Sequence, residues 1–145
     1  GVLNMTPDSF YDGGKYTQKD HALNKVADMI EEGAAIIDIG GMSSRPGAQL
    51  IDLGEEKKRV LPIIKAVKQQ YPKVIISIDT VHSKVAQAAI DAGASIINDI
   101  SGGTIDPAIW EVAKQNKTPY ILMHMQGDPA TMQQNPHYED VVLDI

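Results

Sequence analysis

The chain has 145 residues, 43% of them apolar, a formal net charge of −6 and no cysteine. That is the length of one ordinary domain with enough apolar side chains for a core, and it excludes disulfides and thiolate metal sites. Lys and Arg are scattered and no run is long and apolar enough to cross a bilayer, so neither nucleic acid nor a membrane is an expected partner.

Apolar runs alternate with helical patterns along the chain. Gly1 to Met5 reads as a strand, already running at residue 1. Residues near Thr17 to Glu32 read as a helix with Ala22, Val26, Met29 and Ile30 on one face and Gly33 at the stop position. Ala35 to Ile39 is a second strand, apolar on both sides until Asp38. A helix follows from about Leu53 to Gln70 with Val60, Ile64 and Val67 inward, and Pro62 inside it predicts a kink or a late start. Val74 to Ile78 is a third strand, ending in Asp79. Ser83 to Ala92 is a helix with Val85, Ala88, Ala89 and Ala92 inward and Gly93 as its stop. Ser95 to Ile97 is a fourth strand, ending in Asn98. Asp106 and Pro107 are a cap and a first-turn proline opening a helix that carries Ile109, Val112 and Ala113. Pro119 to Met125 is a fifth strand, and Tyr138 to Ile145 begins another helix.

Strand and helix thus alternate with short links, which implies a parallel sheet with right-handed crossovers. G-A-A-I-I-D-I-G-G from Gly33 echoes G-A-S-I-I-N-D-I-S-G-G from Gly93, as equivalent stacked units do. An open doubly wound sheet competes with a (β/α)8 barrel. Asn4, Asp38, Asp79, Asn98 and His124 all fall near strand carboxyl ends. Those ends meet at one mouth in a barrel, whereas an open sheet gathers ligands at one switch point. The barrel is therefore the expected fold. A full barrel needs about 250 residues, so residues 1–145 are expected to form one partial domain of about five βα units, truncated within its first strand and its last helix.

Two loops stand out, N-M-T-P-D-S-F-Y-D-G-G from Asn4 and G-G-M-S-S-R-P-G from Gly40. Their Gly, Pro, hydroxyls, amides and single Arg suit a loop that folds over an anionic, planar ligand. Each polar residue has two readings. Asp79 can hydrogen-bond a nitrogen-rich ring or stabilise positive charge, or it can cap the next helix. Asn98 offers a donor and an acceptor to a heterocycle edge, or anchors a turn. Asn4 can ligate a hard ion such as Mg²⁺, or close its own loop. Arg45 can clamp a phosphate or carboxylate with Ser44 and Pro46 beside it, or sit exposed on a turn. Asp38 reads as structural, ordering the loop backbone, and Asp99 as pointing away from the site. Strand alternation puts Ile121, Met123 and Met125 on one face and Leu122 with His124 on the other, so Met123 either walls a flat ring or packs the core. His21, His82 and His137 read as surface residues. No H-x-x-x-H or G-x-S-x-G spacing occurs.

In order, the two loops followed by I-S-I-D-T, I-I-N-D-I and L-M-H-M-Q-G resemble the dihydropteroate synthase family of folate biosynthesis over the whole chain. The resemblance implies a (β/α)8 barrel and a transferase. Its reaction joins 6-hydroxymethyl-7,8-dihydropterin diphosphate to 4-aminobenzoate and releases pyrophosphate with Mg²⁺. By position it implies Asn4 at the metal, and Asp79 and Asn98 on the pterin with Met123 lining that pocket. Phe10, Ser44 and Pro46 would border the aminobenzoate site, where sulfonamides compete, and Arg45 would lie near the diphosphate. It also implies a cytoplasmic homodimer. Met42 and Ser44 replace the family's usual Glu and Thr, which bears on aminobenzoate packing and drug fit. The family's later pterin-binding Asp, its Lys and its anion-binding Arg and His would lie beyond Ile145, so this stretch alone is expected to be inactive. Three alternatives are a methyltetrahydrofolate-dependent methyltransferase, a non-catalytic pterin-binding homologue and a sugar-phosphate barrel enzyme.

Overall fold

A computed structural model of the chain describes residues 1–6, 15–42, 51–127, 131–132 and 135–145. Five parallel strands, β1 (Val2–Asn4), β2 (Ile36–Gly40), β3 (Ile75–Asp79), β4 (Ile96–Asp99) and β5 (Tyr120–Leu122), pair in the order β1-β2-β3-β4-β5. The helices are α1 (Lys15–Glu31), α2 (Leu53–Gln70), α3 (Ser83–Asp91), α4 (Ala108–Asn116) and α5 (Val141–Asp144). A doubly wound sheet reverses direction at a switch point. Here every strand lies beside its predecessor, and α1 packs on α2, α2 on α3 and α3 on α4. That is the progression of a barrel wall.

The helix ends follow local chemistry. Asp52 caps α2, its Oδ2 accepting from the N–H groups of Gly54 at 2.8 Å and Glu55 at 3.3 Å. Gly33 and Gly93, after α1 and α3, take φ of 93° and 115°, which L side chains avoid. Pro62 does not delay α2, which runs unbroken from Leu53. An interior proline costs about 3 kcal/mol, and burial of Val60, Ile63, Ile64 and Val67 on the same helix offsets it. Asp106 caps α4 as its sequence position implies, Oδ1 accepting from Ala108 N–H, while its Oδ2 accepts from Ser83 N–H at the start of α3, 2.8 Å away. The Ser83 side chain foremost, and then these backbone bonds, hold the Asp106 carboxyl below its usual range.

The two faces of the sheet differ. Leu3, Ile37, Ile39, Ile76, Ile78 and Ile97 point to the helices and are essentially dry. They meet Ala22 and Val26 of α1, Val60, Ile64 and Val67 of α2, Val85 and Ala89 of α3 and Ile109 of α4 in one core. On α3, Ala86 is fully buried, whereas Ala88 and Ala92, expected inward, are half-buried. On the concave face Val2, Ile36, Ile75 and Ile121 keep 62%, 37%, 43% and 47% of their surface exposed. Strand β5 is shorter than expected: Met123 N–H still reaches Asp99 O at 3.3 Å, but the segment then leaves the ladder.

Candidate functional site

Strand register builds the site. Asn4 is level with Gly40, Gly40 with Asp79, Asp79 with Asn98, and Asn98 with Ile121. One layer down, Val2, Asp38, Ser77 and Ile96 align. Side chains two apart on a strand share a face, so both rows belong to the concave side. At Gly40 an added Cβ would stand 3.1 Å from Asp79 Oδ2 and 3.4 Å from Asn4 Oδ1. The absence of a side chain there lets those two groups approach from either side. Asn98 Nδ2 donates to Asp38 Oδ2 at 3.1 Å, spanning β3. The sheet's curvature therefore gathers Asn4, Asp38, Asp79 and Asn98, distant in sequence, at one rim.

Asp79 is 8% exposed. Burial, then the nearby carboxylates of Asp38, Glu56 and Asp99, push its carboxyl up to about 7. It is thus poised to hold or release a proton near neutrality, which a cationic or N–H-rich ligand would bias towards the charged form. Its competing reading as a helix cap fails, because Asp106 takes Ser83 N–H and Thr80 Oγ1 takes His82 N–H at the start of α3. Two buried concave-face atoms, Asp38 Oδ1 and Ser77 Oγ, have no hydrogen-bond partner among the described residues. Groups so placed accept or donate to a ligand or to water.

Asp38 adds to the sequence reading. Its carboxylate turns into the site, where Oδ2 accepts from Asn98, while most of the loop after β2 lies outside the described residues. The internal echo was the signal, since it aligns Asp38 with Asn98. His82 is a correction: it lies half-buried with Nδ1 2.7 Å from Oε2 of the fully buried Glu56. Asp99 is structural as expected. It accepts from Ser101 N–H and Oγ, from Gly103 N–H and from the Tyr120 hydroxyl. Burial, then that carboxylate, pushes the Tyr120 hydroxyl up.

Met123 is half-buried, two residues beyond Ile121, which faces the same side as Asn98. His124 meets the Tyr138 hydroxyl at 2.8 Å in an exposed region, and His21 and His137 are exposed. Phe10, Ser44, Arg45 and Pro46 lie outside the described residues. Two clefts, one beside β1 lined by Asn4, Lys25 and Met29, the other lined by Ile30, Tyr71 and Val74, contain neither Asp79 nor Asn98. The candidate site is the open concave rim itself.

Sequential βα units with a carboxylate–amide cluster at the carboxyl ends of the strands define a barrel-type enzyme site that can grip a polar heterocycle. The model of the pterin binding enzyme family matches residues 1–145, and the chain belongs to that family. It is 49% identical over 142 residues to a dihydropteroate synthase of Synechocystis, a match covering 98% of this chain and 49% of the relative. Among solved structures, a dihydropteroate synthase of Clostridium difficile in the presence of pteroic acid superposes with a TM-score of 0.87 at 38% identity, covering 99% of this chain and 52% of that one. The Yersinia pestis dihydropteroate synthase in complex with a sulfonamide drug also gives 0.87, at 44% identity, with 99% and 52% covered. The chain spans about half the length of these three proteins.

Proposed function

We propose that the protein is a dihydropteroate synthase, condensing 6-hydroxymethyl-7,8-dihydropterin diphosphate with 4-aminobenzoate and releasing pyrophosphate. One observation carries this reading: the convergence of Asn4, Asp38, Asp79 and Asn98 on a single rim, in a chain whose relatives of that name match it end to end. The pterin edge presents N–H donors beside acceptors. Asp79 accepts from the donors, and Asn98, held by Asp38, offers an amide to the rest. As the C–O bond to the diphosphate breaks, positive charge spreads over the pterin. The clustered carboxylates favour that charge. The aminobenzoate nitrogen then forms the C–N bond and gives up a proton.

Mg²⁺ is the proposed cofactor, and it would offset charge on the departing diphosphate. Asn4 would hold it through Oδ1, which faces the rim beside Gly40. A single hard oxygen fits an ion that keeps its waters and binds through substrate phosphates. Among the described residues there is no cluster of three or more His, Cys, Asp or Glu able to cage a metal. Arg45 and Ser44 are assigned to the diphosphate, Met123 to the pterin wall, and Phe10, Ser44 and Pro46 to the aminobenzoate and competing sulfonamides. A cytoplasmic homodimer is the proposed state of the full-length protein.

The test is calorimetry with the full-length protein. Pterin should bind, and its diphosphate should bind more tightly only when Mg²⁺ is present. Asp79→Asn should abolish both and remove dihydropteroate formation. A protein that ignores pterin, or that gains nothing from diphosphate with Mg²⁺, is not this enzyme.

A further inference from the structure

Behind the rim lies a buried Glu–His hydrogen-bonded pair that the reaction does not use. Glu56, in the first turn of α2, is fully buried. Its Oε2 meets His82 Nδ1 at 2.7 Å, and its Oε1 is buried without a partner among the described residues. His82 sits at the entrance of α3, its carbonyl accepting from Val85 and Ala86 N–H. A carboxylate leaves water at large cost unless it is paired, and an apolar side chain of similar volume would pack there more cheaply. The pair therefore asks for a reason beyond stability.

Position supplies one. A Cβ added to Gly41 would fall 3.1 Å from Glu56 Cγ, 3.3 Å from Glu56 O and 2.9 Å from Val60 Cγ1. Arg59, braced by Glu55, donates Nη1 to Gly41 O at 2.9 Å. The first turns of α2 thus clamp Gly41, while the preceding Gly40 has Asp79 and Asn4 against it. Gly40–Gly41 is a bare backbone partition with the rim on one side and the Glu56–His82 pair on the other. The pair also ties the start of α2 to the β3–α3 junction, one segment beyond Asp79.

We infer that Glu56 and His82 are a positioning pair for the pterin site, fixing the Gly40–Gly41 partition so that Asp79 and Asn4 hold their spacing. This inference rests on the synthase assignment for its ligand. Neither residue touches the reacting atoms.

The experiment uses the full-length protein with Glu56→Gln, His82→Gln, their combination, and His82→Lys. Glu56→Gln keeps the volume and one acceptor for His82, removes the charge and exchanges one carboxylate oxygen for an N–H2 group. Glu56→Gln and His82→Gln should each weaken 6-hydroxymethylpterin binding about tenfold. The double variant should be no worse than either single, because the two act as a unit. His82→Lys, which keeps an N–H donor opposite Glu56, should stay within about threefold of wild type. Amide exchange at residues 40 and 41 should quicken in Glu56→Gln without ligand and without collapse of the thermal transition. Additive losses, a Lys variant as poor as the Gln variant, or unchanged exchange would overturn the pairing role. A wild-type protein that binds no pterin defeats the synthase assignment instead, and the exchange measurement then decides the pair by itself.

Discussion

The helix-covered and concave faces of the sheet are made from the same strands and do opposite work. On the covered side, isoleucine after isoleucine is sealed beneath α1 to α4. On the concave side, the carboxyl ends carry acids and amides while Val2, Ile36, Ile75 and Ile121 remain partly open. Along this stretch of wall the dry apolar contacts lie on the helix side, and the polar groups gather on the other. Asp79 shows the cost: a carboxyl raised to about 7 by burial and by Asp38, Glu56 and Asp99 folds against its own charge.

The largest expected effect tests that cost. Between its unfolded value near 4 and its folded value of about 7, Asp79 is protonated in the folded state and ionised in the unfolded one. Stability should therefore fall as pH rises through that window, and the penalty should be complete above pH 7. Asp79→Asn should remove a penalty of up to about 4 kcal/mol at alkaline pH, seen as a higher urea midpoint at pH 8 than wild type and little difference at pH 4, while pterin affinity is lost. Next, Ile78→Ala on the covered face should cost about 3 kcal/mol in the same unfolding measurement. Gly41→Ala, pressing on Val60, should cost about 1–2 kcal/mol by overpacking. Gly40→Ala should spare the thermal transition and weaken pterin binding severalfold in calorimetry, by crowding Asp79 and Asn4. Smallest, in the 145-residue chain, Ile75→Ala on the half-exposed concave face should cost less than about 1 kcal/mol. If Ile75 proved as costly as Ile78, the division of labour between faces would be wrong.

Sequence patterns carried the barrel-wall order because each element announces itself locally. Leu53 to Gln70 was legible end to end from its apolar stripe, and Asp106–Pro107 from capping chemistry. Asp79 and Asn98 stood out because each ends an apolar run. Asp38 does so too, but the two glycines after it drew it into a loop reading, and only curvature across β3 brings it to Asn98. Glu56 was illegible for a different reason. In E-E-K-K-R it looks like part of a solvated face, and its burial depends on how α2 lands against Gly41. His82, far along the chain, becomes its partner only through that landing. The end of β5 was overread because L-M-H-M continues the apolar pattern after the ladder has parted.

Asp106 has one further consequence. A single carboxylate answers the first free amides of two successive helices, α3 and α4. The helices that follow the strands of Asp79 and Asn98 are thereby joined at their starts through one side chain, so a displacement of either draws on a bond to the other.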